Sequence, residues 1–352
     1  MVLAANLRLK AEVREETGDF RLSLSPQEAS LWAPGLDDLK TLWQAALEKL
    51  IVDNPVDLAG LHILFDFGEQ WEEFPPHLLL SSPAAALALA CAVRAHRGGR
   101  STLLTALSTS KGPESIGAEK LASLAGALLS KFLVTENPLQ RDRFYAECLV
   151  SILGGAHYVT PASEPLNVQL LVPPESLILV VSGREFVAAH GPTWGEALQA
   201  AIRKLGPGVP DLIAAADDDI AALFEKATGT LEDRETAVLY GILRVREMIS
   251  EYLEKLGQPF LDYDLFAELC DEESAIMEDY FEFPAEIYRS VRERAMDNGA
   301  LGGKFTYAFG VHPALIILAP GRRAEVIAAL EKGFDGYLFL PVDVDGAGVS
   351  PA

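Results

Sequence analysis

The chain has 352 residues, 49% of them apolar, which is too long for one small core and predicts a globular protein of two domains, not a disordered segment. Acidic residues outnumber basic ones 51 to 29, and a net charge of -22 repels nucleic-acid phosphates and anionic headgroups, excluding nucleic acid and membrane as expected partners. Cys91, Cys148 and Cys270 match no metal or redox spacing, so reduced thiols and a cytoplasmic location are expected. The amino terminus lacks the apolar core of a signal peptide, and the uncharged run Leu78 to Val93 is too short to span a bilayer.

In chain order, Leu7, Leu9, Ala11 and Val13 alternate with charged residues. After a turn at Thr17, Gly18 and Asp19 the alternation resumes through Phe20, Leu22 and Leu24, which predicts a strand hairpin. Leu39, Leu42, Ala46 and Leu50 share one side of a predicted helix over 38–50, and 61–66 reads as a strand. Helices are expected over 84–96, 117–133 and 141–153. A proline-interrupted extended stretch over 159–172 and the apolar run SLILVVS over 176–182 mark a boundary, dividing the chain into domains 1–165 and 166–352. Beyond it, Val238, Ile242, Val245, Ile249, Leu253 and Leu256 recur at steps of three and four, predicting a long helix that stops before Gly257 and Pro259. Helices over 263–279 and 284–298, a strand over 314–318, a helix over 322–332 and a strand over 336–342 complete the pattern.

Between the last two long helical stretches and the ALIIL strand lies GALGGKFT, Gly299 to Thr306, followed by YAFGVHP. This segment resembles the third signature of the GHMP small-molecule kinases in its galactokinase form, a Gly-Ala-Leu-Gly-Ala-Arg-Met-Thr segment followed by a glycine-rich loop. Glu272 to Val291 is similar to the galactokinase stretch in which an acidic helix leads into a Tyr-x-Val-Ser-x-Pro-Glu-Leu-like turn. Tyr145 to Val159 resembles the helix that carries the catalytic aspartate, and Leu80 to Val93 resembles the second signature, Gly-Leu-Ser-Ser-Ser-Ala-Ala. The likeness runs nearly end to end and is strongest after residue 230. It implies an α+β, two-lobed GHMP kinase-like fold: an amino-terminal mixed sheet with helices, and a carboxy-terminal helix-rich lobe with an antiparallel sheet. It also implies a nucleotide cleft between the lobes, Mg-ATP as cofactor and a carbohydrate as phosphoryl acceptor.

Several positions depart from that pattern. The Gly-Glu-His-Thr-Asp-Tyr segment that holds the sugar, with its nearby arginine, has no counterpart; either it is absent or the true start lies upstream of Met1. The phosphate loop of the family is glycine-rich because backbone N–H groups must turn inward, yet here it reads PPHLLLSSPAAA, with His77 and Leu79 at glycine positions and Pro83 in place of a serine. Ser81 and Ser82 remain, either as phosphate contacts or as a helix cap ahead of Pro83 in the first turn. Glu147 stands at the catalytic aspartate, either as a general base or as the partner of Arg143 one turn earlier on a helix surface. Thr306 is retained, but Tyr307, His312 and Pro313 would crowd a nucleotide phosphate, and none of the six histidines sits at ligand spacing from another.

The resemblance therefore implies a galactokinase-like protein, catalytically impaired or inactive, that serves as a binding, regulatory or structural protein. The alternative is an active ATP-dependent small-molecule kinase with an altered substrate, in which Glu147 is the base, Ser81 and Ser82 help bind magnesium and phosphate, and Lys304 or Arg143 supplies positive charge.

Overall fold

The structure, a computed structural model, describes residues 2–3, 10–15, 21–24, 41, 43, 45–46, 61–66, 83–93, 116–132, 138–153, 156–158, 166–170, 172–182, 193–206, 216–256, 260–281, 285–305 and 314–344. By contact the chain divides into one unit of Met1–Gln169, Ala308–Gly310 and Asp343–Ala352, and a second of Leu170–Tyr307 and Val311–Val342. Among the described residues, no helix is long and apolar enough to cross a membrane.

In the first unit, β1 (Val2–Leu3) pairs antiparallel with β5 (Ala156–Tyr158), which pairs antiparallel with β6 (Leu166–Leu170). A separate sheet has the order β2-β4-β3, built from β2 (Lys10–Glu15), β3 (Arg21–Leu24) and β4 (Leu61–Asp66). Here the hairpin expectation fails: β2 and β3 do not pair with each other but flank β4, β2 antiparallel and β3 parallel to it. Burial supplies the reason. Leu61, Ile63 and Phe65 of β4 are fully buried, so the most apolar strand takes the centre and the charged one an edge, where Glu12 and Arg14 remain exposed and paired at 2.8 Å. Thr41, Trp43, Ala45 and Ala46 are helical, and Trp43, absent from the predicted apolar side, is fully buried.

Among the described residues, three helices supply most of the remaining core of this unit. Residues 83–93 form α1, in which Ala85, Ala86, Leu89 and Ala90 are all fully buried; small residues on more than one side suit a helix enclosed by neighbours. Helices α2 (Ile116–Phe132) and α3 (Pro138–Leu153) pack on one another. Pro138 opens α3, where its missing N–H costs no helical bond.

The second unit joins a helical bundle to an antiparallel sheet of order β11-β7-β10-β9: β7 (Leu177–Ser182), β9 (Ala300–Phe305), β10 (Ala314–Leu318) and β11 (Tyr337–Val342). Leu177 to Val181 are buried without alternation, which is why an uninterrupted apolar run sits at an interior position. Pro341 lies on the edge strand β11, where a missing donor is harmless. The helices are α4 (Thr193–Leu205), α5 (Asp217–Ala227), α6 (Asp233–Leu256), α7 (Tyr263–Phe281), α8 (Ala285–Met296) and α9 (Arg323–Glu331), with the two-residue strand β8 (Phe260–Leu261) ahead of α7. Leu198, Leu223, Val238, Leu239, Ile276 and Phe281 belong to one core joining α4 to α7, while Ile316, Tyr288, Val291 and Val326 belong to another that seats α8 and α9 on the sheet.

Candidate functional site

Of the most specific motif, GALGGKF, the residues ALGGKF form the edge strand β9, with Gly299 in the turn ahead of it. An edge strand presents N–H and C=O groups to one side with no neighbouring strand to take them. Gly303 lies opposite Ile316 of β10, and its own N–H and carbonyl are taken by side chains of α7. The Gly303 N–H donates to Asp271 Oδ1 at 2.9 Å, and Ser274 Oγ donates to the Gly303 carbonyl at 3.0 Å. Asp271 and Ser274 are three residues apart on α7, so one helix face reads both groups of one glycine. The approach is close enough to require glycine: a Cβ on Gly302 would lie 2.8 Å from the Ala267 carbonyl oxygen, and one on Gly303 would lie 2.8 Å from that of Leu315.

Helix α8 holds this arrangement from the other side. Arg292 grips Asp271 with two nitrogens, Nε to Oδ1 at 3.0 Å and a terminal nitrogen to Oδ2 at 2.6 Å, a fork that matches a carboxylate in geometry. Its hydrogen bond to Asp271 is the chief reason the guanidinium pKa is raised. Tyr288, almost wholly buried, shares a 3.3 Å hydrogen bond with Ser274, and burial raises its phenol. Lys304, next along β9, pairs with Glu273. Next to Asp271 on α7 is the buried Cys270, whose thiol is pushed up to about 12, first by burial, with Lys304 opposing and Glu273 and Asp271 reinforcing the shift. At the start of α7, Tyr263 donates its one proton between the Ser176 and Leu318 carbonyls, at 2.8 and 3.0 Å, tying the helix to the central strands.

Of the residues singled out from sequence, Glu147 lies on α3, half-buried, beside the fully buried Cys148. Its carbonyl accepts a hydrogen bond from Ser151 Oγ at 2.8 Å, a local back-bond within the helix. Burial, then the neighbouring Glu147 charge, raises the Cys148 thiol well above its usual range. Gly126 of α2 allows α3 to approach: a Cβ there would meet the Tyr145 backbone N at 3.2 Å. Ser81, Ser82 and Thr306 lie outside the described residues, as do Tyr307, His312, Pro313 and the Arg143 side chain. Pro83 is helical, at the first described position of α1. Of the four candidate site residues, Glu147 is the one that falls among the described residues. The structure does assemble Asp271, Ser274, Tyr288 and Arg292 around Gly303, a cluster the sequence reading missed; the only local signal was the three-residue spacing of Asp271 and Ser274.

A shallow groove of about 550 Å³ elsewhere in the second unit is lined by Glu196, Gln199, Arg203, Arg234 and Glu235 among others. Beside it Lys204 bridges Glu232 at 3.0 Å and Glu235 at 2.7 Å, and Glu235 Oε2 accepts from the Glu232 N–H at 2.9 Å, the reciprocal half of a capping box opening α6. These charges are spent on joining α4 to the start of α6.

Solved structures share this arrangement of strands and helices. Lactococcus lactis galactokinase complexed with galactose aligns at TM-score 0.66 and 12% identity, covering 97% of this chain and 86% of that one. The fold is that of the GHMP kinases. A mevalonate kinase aligns at TM-score 0.53 and 12% identity over 97% of this chain and 91% of its own, and that of Methanococcus jannaschii at 0.53 and 12% over 97% and 90%. No protein-family model matches the chain, and no curated protein does. The expected α+β class, with a mixed sheet early and an antiparallel sheet late, holds for this GHMP kinase-like fold. At this identity the likeness speaks for the fold alone.

Proposed function

We propose that this chain is a galactokinase-like protein that keeps the GHMP kinase scaffold, has lost most or all kinase activity, and acts as a binding, regulatory or structural protein. The observation that carries this reading is the use made of β9. A phosphate site needs backbone N–H groups and cations directed at the ligand. In β9, Gly303 gives its N–H to Asp271, Lys304 pairs with Glu273, and both glycines are required by the closeness of other backbone atoms. Packing is therefore a sufficient reason for the most specific motif to be kept, and its presence carries no argument for catalysis. Departures at His77, Leu79 and Pro83 fall on the positions that the resemblance assigns to phosphate handling.

The described residues of β9 do not fit Mg-ATP, because their donors are already engaged by carboxylates of α7. Among the described residues, no group of three His, Cys, Asp or Glu is placed to hold a metal ion. The competing reading, an ATP-dependent small-molecule kinase with Glu147 as base, has on its side that Glu147 keeps partial exposure on α3.

Incubation with Mg-ATP and a panel of sugars, galactose included, separates the two. The expected outcome is no phosphorylated product above the protein-free blank, and no difference between wild type and Glu147→Ala. Turnover that Glu147→Ala abolishes would overturn the proposal. Binding is read separately by thermal shift, since a ligand at a hundred times its dissociation constant stabilises by about 2.7 kcal/mol.

A further inference from the structure

The chain has five asparagines, at 6, 54, 137, 167 and 298, and the residue that follows each decides how its side-chain amide can react. Asn54 and Asn137 precede proline, which has no N–H to act as a nucleophile, while Asn6 and Asn167 precede Leu7 and Val168, whose side chains crowd the next amide. Asn298 precedes Gly299, in the turn joining α8 to β9. We propose that this junction is a self-modification site, at which the Gly299 nitrogen attacks the Asn298 side-chain amide, the asparagine becomes aspartate or isoaspartate, and the entry to β9 is weakened. In the first step the N–Cγ bond forms and the Cγ–Nδ2 bond breaks; the Gly299 N–H proton leaves with the amide nitrogen as ammonia, and a cyclic imide remains. Water then opens the ring. Opening at Cγ gives aspartate, whereas opening at the backbone carbonyl carbon gives isoaspartate, whose main chain runs through Cβ and Cγ and is one atom longer. Water is the sole co-reactant, and the inference stands whether or not the chain turns over ATP.

The fold holds both members of this pair in place. Gly299 has φ +107°, and a Cβ there would lie 3.1 Å from Arg322 Cγ, so a bulkier successor that would slow the attack is strained. Asn298 Nδ2 donates to the Arg294 carbonyl at 2.7 Å, answering one of the orphan carbonyls that end α8. Yet the turn is the weak end of its helix. The Asp297, Asn298 and Gly299 N–H groups reach Glu293, Ala295 and Met296 at 3.0, 3.0 and 3.2 Å, passing from four-residue to three-residue steps, with the longest bond at the nucleophile. Both Asn298 and Gly299 are half-buried, so water reaches them. The products cannot keep these contacts. An aspartate carboxylate has no proton to give the Arg294 carbonyl, and its charge falls at the negative end of the α8 dipole. Isoaspartate lengthens the chain just ahead of Ala300, which is in register with Leu318, and displaces the Gly299 carbonyl that accepts from the Ala319 N–H at 3.1 Å.

The test stores the full chain at mildly alkaline pH and body temperature for several weeks, folded and in urea, and reads the peptide containing residue 298 by mass and by isoaspartate-specific methylation. Asn298 is expected to convert ahead of Asn6 and Asn167, and the folded chain to lag the unfolded one by no more than about tenfold, because a terminal turn opens at little cost. The aged chain is expected to melt below the fresh one. Asn298→Gln, which keeps an amide but would have to close a larger ring, is expected to melt alike before and after storage. A folded chain whose Asn298 stays an amide over that time, or a converted chain that melts as the fresh one does, overturns the proposal. So does an Asn298→Gln chain that loses as much stability with age as wild type.

Discussion

The α2–α3 pair of the first unit and the α7–α8–β9 assembly of the second both depend on a glycine that lets two backbones approach, and both carry segments that resemble a kinase motif. They differ in what surrounds the glycine. Beside Gly126 the nearest atoms are backbone of Phe144 and Tyr145, the two helices bury Ala125, Phe144, Cys148 and Leu149, and the one candidate catalytic group described, Glu147, lies half-exposed on α3. Around Gly303 its own N–H and carbonyl are each answered by a side chain, and those side chains are themselves held by α8. An apolar seam tolerates small shifts, because dispersion contacts are many and individually weak, whereas a hydrogen-bonded seam fails when one partner is removed. A motif kept in the second kind of setting is thus kept by mechanics, whatever chemistry it once served.

Substitution at the glycines should break the symmetry most sharply. Gly303→Ala places a Cβ 2.8 Å from a backbone oxygen that cannot swing aside, and a loss of about 3 kcal/mol is expected in a urea melt. Next comes Asp271→Ala, which orphans the Gly303 N–H and leaves Arg292 without its carboxylate; with both side chains about a quarter exposed, about 2 kcal/mol is expected. If Asp271→Ala were as mild as a surface change, the hydrogen-bonded account of this seam would fail.

A pH titration sharpens the contrast from another side. Cys270 and Tyr263 rise from 9.0 and 10.0 to about 12, chiefly through burial, so between about pH 9 and 12 the unfolded chain has released protons that the folded one retains. Stability is then fully present below pH 9 and falls as pH rises, and Cys270→Ala should flatten the fall, monitored by urea midpoints at each pH. The smallest effect is expected at Gly126→Ala. Its Cβ would meet the Tyr145 backbone at 3.2 Å, a contact a few tenths of an ångström would relieve, and the gain in helix propensity offsets the strain. A change within about 1 kcal/mol of zero is expected in a thermal melt; a loss equal to that of Gly303→Ala would erase the distinction between the seams.

Much of the fold was legible because helices and strands announce themselves through local period. The spacing of Val238, Ile242, Val245 and Ile249 marks α6, and the apolar runs mark β7 and β10, each within a few residues of the observed ends. Two helices, α4 and α5, were passed over, although Ala197, Leu198, Ala201 and Leu205 repeat at helical steps. The hairpin error has a different origin: alternation shows that β2 and β3 are strands but carries no information on which strand lies between them. Of the candidate site, Glu147 could be placed on a helix from sequence, whereas Ser81, Ser82 and Thr306 rest on the resemblance alone.

By itself, the sequence determined the most strongly periodic elements, such as α6, β7 and β10, the acidic balance and the motif GALGGKF, because each is a property of neighbours along the chain. Only the tertiary structure decided that Gly303 answers to Asp271, 32 positions earlier, and Lys304 to Glu273, 31 positions earlier. Such partners are chosen by the path of the backbone through space, and no period or composition within a local window encodes that choice.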